Sequence, residues 1–252
     1  MFEAASRVYR ETRKKHDYLF NVYVMRPLAA VAVLPVARTR ITPNQVTLMN
    51  LAVFVVAAAG FAAWTSWGGG VAAVLVLEAS YGLDCLDGML ARHKKVASTV
   101  GHLFDFFTDE LKAILLAGAL AVRAWRVGGF GLDGRWWPAG DARFLLAGVV
   151  GVVAVSSALS LTRFLRSPEV SGRPTSVEAF YETADMRVPS ALMGRIAASV
   201  ATFLRFVNHY PSHIWLWALA GHTELFMWVW IALNGLYVLR GWLGLAVRFG
   251  RG

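Results

Sequence analysis

From Val46 to Trp64 the chain carries no charged side chain. A run of that length crosses the hydrocarbon core of a bilayer, which takes ~20 apolar residues in a helix. The rest of the sequence agrees. Of 252 residues, 57% are hydrophobic and only 16% charged, where a soluble domain carries roughly a quarter charged. Disorder is excluded by the abundance of apolar residues. A single cysteine, Cys85, excludes a disulfide scaffold. Further runs follow at Val71–Leu86, Phe106–Trp125, Leu145–Leu161, Ile196–Val207 and Leu225–Leu245. The expected fold is an all-α integral membrane protein with six transmembrane helices. Asn208–His222, with Pro211, Trp215 and Trp217, reads as an interfacial connection or a half-span.

The first 40 residues differ. Pro27–Ala37 is too short to span, and Arg7, Arg10, Arg13, Lys14 and Lys15 precede it. No small-residue cleavage site follows, so the segment reads as an amphipathic stretch on the membrane surface rather than a leader. The expected division is 1–40 as this juxtamembrane segment and 41–252 as one transmembrane catalytic domain. The net charge is +9. In a membrane protein such an excess speaks for positive-inside topology and contact with anionic lipid, not for nucleic acid. Lys and Arg concentrate in the first 40 residues, after the second run (Arg92, Lys94, Lys95) and after the fourth (Arg163, Arg166, Arg173, Arg187, Arg195). Thr65–Gly70 and Asn208–Glu224 hold none. Both termini are therefore expected in the cytoplasm.

The segment Asp84–Asp109 carries the chemistry. Asp84 and Asp87 are three apart at the end of the second run, and Asp105 and Asp109 are four apart at the start of the third. Each spacing places both carboxylates on one helical face. The turn between them is short, so the helices run antiparallel and four carboxylates converge near the cytoplasmic boundary. Aspartates often mark helix ends in water, which accounts for any one of these but poorly for four at facing spacings. Acids near a span are functional by default. Four carboxylates without His or Cys suit two hard divalent cations, Mg²⁺ or Mn²⁺, and paired metals suit phosphoryl transfer. Gly88 permits close approach of a ligand, and Arg92 can grip a phosphate bidentately. Two other charges lie deeper: Glu78 and Lys112 are expected to pair with one another across antiparallel helices. Cys85 is expected to pack away from the acids.

The pattern D-x2-D-G-x2-A-R-x8-G-x3-D-x3-D, met by Asp84, Asp87, Gly88, Ala91, Arg92, Gly101, Asp105 and Asp109, resembles the signature of the CDP-alcohol phosphotransferases. Upstream, Ile41–Thr47 resembles the T-P-N-x-x-T entry to the first helix of that family. On its own the stretch also reads as a helix start at Thr42 with Pro43 in its first turn. The resemblance spans roughly Arg38–Arg205 and implies six helices, a cytoplasm-facing site and a divalent metal pair. Such enzymes displace CMP from a CDP-linked alcohol by attack of another hydroxyl. By carry-over, Asp84, Asp87, Asp105 and Asp109 hold metal and Asp109 takes the acceptor proton. Asn44, Thr47, Gly88, Ala91, Arg92 and Gly101 then lie near the cytidine diphosphate.

Two segments bear on substrate. Leu161–Arg166 resembles an R-x-x-R segment of CDP-diacylglycerol users. Ser190–Arg195 is similar to the W-x-G-K segment of phosphatidylglycerophosphate synthases, with Leu192-Met193 in place of the Trp region and Arg195 in place of Lys. Arg163, Arg166 and Arg195 are thus expected to bind a phosphorylated acceptor, although positive-inside placement would explain them equally. The expectation is transfer of a phosphatidyl group from CDP-diacylglycerol to a polar, phosphorylated alcohol, with a homodimer as the assembly. The alternatives are transfer of phosphocholine or phosphoethanolamine to diacylglycerol and, in other classes, a divalent-cation transporter or a non-catalytic scaffold.

Overall fold

The structure, a computed structural model, describes residues 2–14, 17–172, 199–200, 202–203 and 206–250. Among them the chain is helical apart from one hairpin. Helix α1 is Phe2–Thr12, and a π-turn at Asn21–Met25 runs directly into α2, Arg26–Ala37. Then come α3 (Pro43–Ala63), α4 (Trp67–His93) and α5 (Thr99–Val127). Strands β1 (Gly129–Phe130) and β2 (Trp136–Trp137) pair antiparallel. They are followed by α6 (Ala142–Arg166), α7 (Pro168–Ser171), a 3₁₀ turn at Tyr210–Ser212, α8 (Ile214–Leu219) and α9 (Thr223–Phe249).

Four of these helices, α3, α4, α6 and α9, are long and apolar enough to cross a membrane. Helix α5 is as long, at 29 residues, but Asp105, Asp109, Glu110, Lys112, Arg123 and Arg126 set it apart from them. Half of the expected span Ile196–Val207 lies outside the described residues. The stretch before α9 is a connection, with a short helix over the Trp-containing part.

Residues cluster into two compact units. One takes the described residues of Met1–Ala57 and Val74–Lys112, the other those of Ala58–Ala73, Ala113–Thr175 and Met186–Gly252. In the first, α1 buries Ala5, Val8 and Thr12 and leaves Arg7 and Arg10 in the open. Ala5 and Val8 join Met25, Ala29, Ala30 and Val33 in a cluster that includes Cys85, Leu86, Met89 and Leu90 of α4. Cys85 is thus a packing residue, as its spacing between the acids indicates. Helix α3 starts with a reciprocal cap. The Thr42 N–H donates to Gln45 Oε1 at 2.9 Å, and the Gln45 N–H donates to Thr42 Oγ1 at 3.3 Å. Pro43 fits the first turn because it lacks the N–H that would go unpaired there.

In the second unit, arginines cap a helix. Arg123 donates to the carbonyls of Trp64 and Ser66, and Arg126 to those of Ala62 and Ala63 at 2.8 and 3.0 Å. The carbonyls of Ala62, Ala63 and Trp64 lie in the last turn and at the end of α3, where no further helical N–H follows to pair them. Helix α6 opens with Asp141, whose carboxylate accepts from the Arg143 N–H at 2.9 Å. It packs on α9 through small residues. A Cβ on Gly151 would meet Ile231 Cγ1 at 2.9 Å, the close approach expected of helices in lipid. The hairpin is tied to α9 where Trp228 Nε1 donates to the Phe130 carbonyl at 2.8 Å.

Candidate active site

The site lies within the first unit, on α3, α4 and α5. Helices α3 and α4 meet through a ladder of polar contacts. Thr47 Oγ1 donates to Asp87 Oδ2 at 2.6 Å, and Asn50 Nδ2 donates to Asp84 Oδ1 at 2.9 Å. Moving three residues along α3 moves three residues back along α4, which is the register of antiparallel helices. One turn further, Ser80 Oγ donates to the Asn50 carbonyl at 3.0 Å and lies 2.5 Å from Asn50 Oδ1. Asn50 and Thr47 are both buried. An apolar span thus carries two polar side chains on one face, and both meet signature aspartates.

From α5, Lys112 completes the set. Its Nζ donates to Asp84 Oδ1 at 2.7 Å and to Asp109 Oδ1 at 2.6 Å. Lys112 is one turn beyond Asp109 and buried, so its ammonium bridges the ends of two carboxylates on different helices. The expected pair between Glu78 and Lys112 is not formed. Lys112 is drawn to the Asp84–Asp109 edge, where two carboxylates compete for it and outweigh one. Both carboxylate oxygens of Glu78 are buried without a hydrogen-bond partner among the described residues.

Asp84, Asp105 and Asp109 each offer a carboxylate oxygen, and these atoms lie within 4.8 Å of one another. Asp87 stands outside this triad, bonded to Thr47. Asp105 Oδ1 is buried with no hydrogen-bond partner among the described residues. Asp109 is the open member, with a side chain 47% exposed against 20% for Asp84. A buried carboxylate oxygen without a donor, beside two more carboxylates, fits a hard divalent cation, which would replace the missing donor.

The other signature positions gather nearby. A Cβ on Gly88 would meet the Arg92 guanidinium at 3.4 Å, so that group lies over Gly88. A Cβ on Gly101 would meet Asn44 Oδ1 at 3.3 Å. Asn44 of the T-P-N entry is therefore brought to the start of α5, as Thr47 is brought to Asp87. Ala91 sits in the last turn of α4. That helix is closed by Lys95, in the left-handed region at φ 57, while the Val96 N–H returns to the Ala91 carbonyl at 2.9 Å. Lys94 Nζ donates to the carbonyls of Thr39 and Ile41 at 3.1 and 2.8 Å, stapling this turn to the entry of α3.

Of the expected acceptor residues, Arg163 and Arg166 stand exposed in the last turn of α6, within the second unit. Arg195 lies outside the described residues. Sequence reasoning missed Asn50, Ser80 and the bridging role of Lys112. A signal existed for Asn50: it is the polar residue one turn after Thr47 in an otherwise apolar run, and so shares its face.

The chain thus combines four helices long and apolar enough to cross a membrane with a cluster of aspartates at the facing ends of two helices. The sequence model of the CDP-alcohol phosphatidyltransferase family matches residues 40–230, and the chain belongs to that family. Its members transfer substituted phosphate groups, act on CDP-linked substrates in membranes and use divalent cations. No curated protein matches the chain.

Proposed function

We propose that this protein transfers a phosphatidyl group from CDP-diacylglycerol to the hydroxyl of a polar, phosphorylated alcohol and releases CMP. The observation that carries the reading is the triad of carboxylate oxygens on Asp84, Asp105 and Asp109, with a buried Asp105 oxygen left for a cation. Asp84, Asp87, Asp105 and Asp109 are the residues proposed to hold two ions, Mg²⁺ or Mn²⁺. When bound, such ions neutralise the charge of the diphosphate and ease the departure of CMP.

The side chains supply the rest. Thr47 and Asn50 fix the α4 carboxylates in place before substrate arrives, so little reorganisation is left for the reaction. Asn44, Gly88, Ala91, Arg92 and Gly101 are assigned to the nucleotide: Gly88 and Gly101 let Arg92 and Asn44 lie close to the backbone, and Arg92 offers a fork of N–H donors to a phosphate. Asp109, half-exposed, is assigned as the base. The acceptor O–H loses its proton to the Asp109 carboxylate as its oxygen bonds to the lipid-linked phosphorus. The bond from that phosphorus to the CMP oxygen breaks, and CMP leaves with the electron pair. Lys112 keeps Asp109 on the Asp84 side of α5. Arg163, Arg166 and Arg195 are proposed to receive the phosphate of the acceptor. The Lys/Arg distribution supports a site and termini on the cytoplasmic face.

The deciding experiment is CMP release by purified protein in lipid nanodiscs with Mg²⁺ or Mn²⁺. CDP-diacylglycerol with inositol phosphate or glycerol phosphate is expected to release CMP, and chelation is expected to stop it. Release from CDP-choline with diacylglycerol, and none from CDP-diacylglycerol with any phosphorylated polyol, would overturn the assignment of substrates. No metal-dependent CMP release from any CDP-alcohol would overturn the function.

A further inference from the structure

Helices α6 and α9 run parallel, which fixes the relative depth of the residues on their last turns. Gly151 stands against Ile231, and ten residues further along both helices Gly241 lies so close to Leu161 that a Cβ there would collide with it. Near this second contact the hydroxyls of Tyr237 and Thr162 share a hydrogen bond at 3.0 Å. Both helices belong to the second unit. Over its last turns α9 directs most of its surface outward: Leu236, Leu239, Trp242, Leu243 and Val247 are all exposed. In a helix long and apolar enough to cross a membrane, such a face meets lipid.

One residue on that face is out of place in hydrocarbon. Arg240 is exposed, and no described residue supplies it with a hydrogen bond or an ion pair. It stands nine residues before Phe249, the end of α9, and so ~13 Å inside that end at 1.5 Å per residue. A guanidinium facing lipid at that depth is costly unless an anion meets it. Arg248, also exposed, follows at i+8. Its Nη2 donates to the Val170 carbonyl at 3.2 Å, which ties it to α7. Gly244 lies midway between the two arginines, and i, i+4 and i+8 share one side of a helix. A Cβ on Gly244 would meet nothing within 4 Å. The pattern R-x3-G-x3-R thus sets two cations about an open notch, with exposed apolar side chains beside it.

We propose that this face of α9 binds an anionic phospholipid, with its phosphate over Gly244 between Arg240 and Arg248 and its acyl chains along Leu239 and Leu236. Charge selects the occupant. A zwitterionic lipid brings its own cation to a place that already holds two, whereas a headgroup of net negative charge is matched by both. A free phosphate would satisfy the arginines and leave the exposed leucines without a partner. The site is independent of the transferase reading, because it lies in the second unit and uses no residue assigned to the reaction.

The test uses the full chain in detergent micelles, with phosphatidylglycerol as probe and phosphatidylcholine as reference. Native mass spectrometry reads both the lipids retained and the number of chains. The unaltered protein is expected to retain phosphatidylglycerol in preference to phosphatidylcholine. Arg240→Gln should weaken that retention about fivefold, the share of one arginine beside an anionic headgroup, and Arg240→Lys should recover most of it. Gly244→Leu keeps both arginines and fills the notch. It should weaken retention about as far, whereas a surface that is merely positive would lose nothing. Neither change touches a buried side chain, so the melting temperature without phosphatidylglycerol should stay that of the unaltered protein. Equal retention of the two lipids by the unaltered protein would overturn the site, as would undiminished retention in Arg240→Gln or Gly244→Leu. Displacement of the lipid by equimolar inorganic phosphate would make this a site for a free anion. Loss of a dimer in Arg240→Gln, with lipid retention unchanged, would give the face to a second copy of the chain. Either result overturns the proposal.

Discussion

The two aspartate pairs of the signature are held differently. Asp84 and Asp87 on α4 each accept a hydrogen bond from α3, supplied by Asn50 and Thr47. On α5, Asp109 meets the ammonium of Lys112, and Asp105 keeps a buried oxygen with no donor among the described residues. Asp87 is set by a neutral donor, and Asp84 by a neutral donor together with the Lys112 ammonium. The α5 pair shares that buried ammonium at Asp109 but has, at the buried Asp105 oxygen, no donor among the described residues. A cation bound to this cluster therefore contributes most at α5.

The largest expected effect is at Asp105. Asp105→Asn keeps the shape but removes the charge, and calorimetric titration with Mn²⁺ should find binding lost, with CMP release below detection. The metal-free variant should unfold at or above the temperature of the unaltered protein, because a buried carboxylate oxygen without a partner is a cost to the fold. Metal affinity equal to that of the unaltered protein would erase the distinction between the pairs.

Next comes Asp109. Removing a general base lowers a rate by roughly 10²–10⁴. Asp109→Asn should show that loss in kcat, while affinity for cytidine diphosphate, read by calorimetry, changes far less. A variant that keeps its kcat and loses the nucleotide would move the base elsewhere.

The contrast between the pairs was only half legible in the sequence. The i,i+3 and i,i+4 spacings place the aspartates on helix faces, and the short turn between the runs makes the helices antiparallel. The long apolar runs gave α3, α4, α6 and α9 their places. What spacing cannot give is which side chain of a neighbouring helix reaches which carboxylate. That depends on the axial offset of α3 against α4, set by packing, so Asn50 stayed hidden in an apolar run. Lys112 shows the same limit. Its depth along the chain matched Glu78, but depth leaves rotation open, and the ammonium turned to the side with two carboxylates. The hairpin of Gly129–Phe130 and Trp136–Trp137 left no signal either, being two residues per strand. The leading segment reads only as an amphipathic stretch on the membrane surface, because the partners of Thr12 and Asn21 lie on α4, about 60 to 80 residues on.

A smaller effect tests the cation at α5. Lys112→Met removes the ammonium and leaves Asp84 and Asp109 facing each other. Breaking a fully buried pair costs about 3–5 kcal/mol. The loss here should be smaller, because the Asp109 side chain is 47% exposed and solvent screens it. In thermal unfolding the metal-free variant should melt several degrees lower, and saturating Mn²⁺ should raise its Tm by more than it raises that of the unaltered protein. Equal shifts in both would show that Lys112 and the metal do not share the same carboxylate edge.

The smallest effect separates the helices directly. Thr47→Val keeps the branched shape and removes the hydroxyl that donates to Asp87. Outer partners of metal ligands typically account for 10–100-fold in metal affinity, and the low end applies because Asp87 stands outside the triad of closest oxygens. Thr108 on α5 is the control. It is equally buried, but its hydroxyl donates to the backbone carbonyl of Asp105 at 2.8 Å and not to a carboxylate. Thr108→Val therefore should leave Mn²⁺ affinity unchanged, while Thr47→Val weakens it about tenfold and Thr47→Ser restores it. If both threonines matter equally, the donors of α3 do not single out the α4 pair. The two pairs would then be held alike, by the general polarity of the cluster rather than by Thr47 and Asn50.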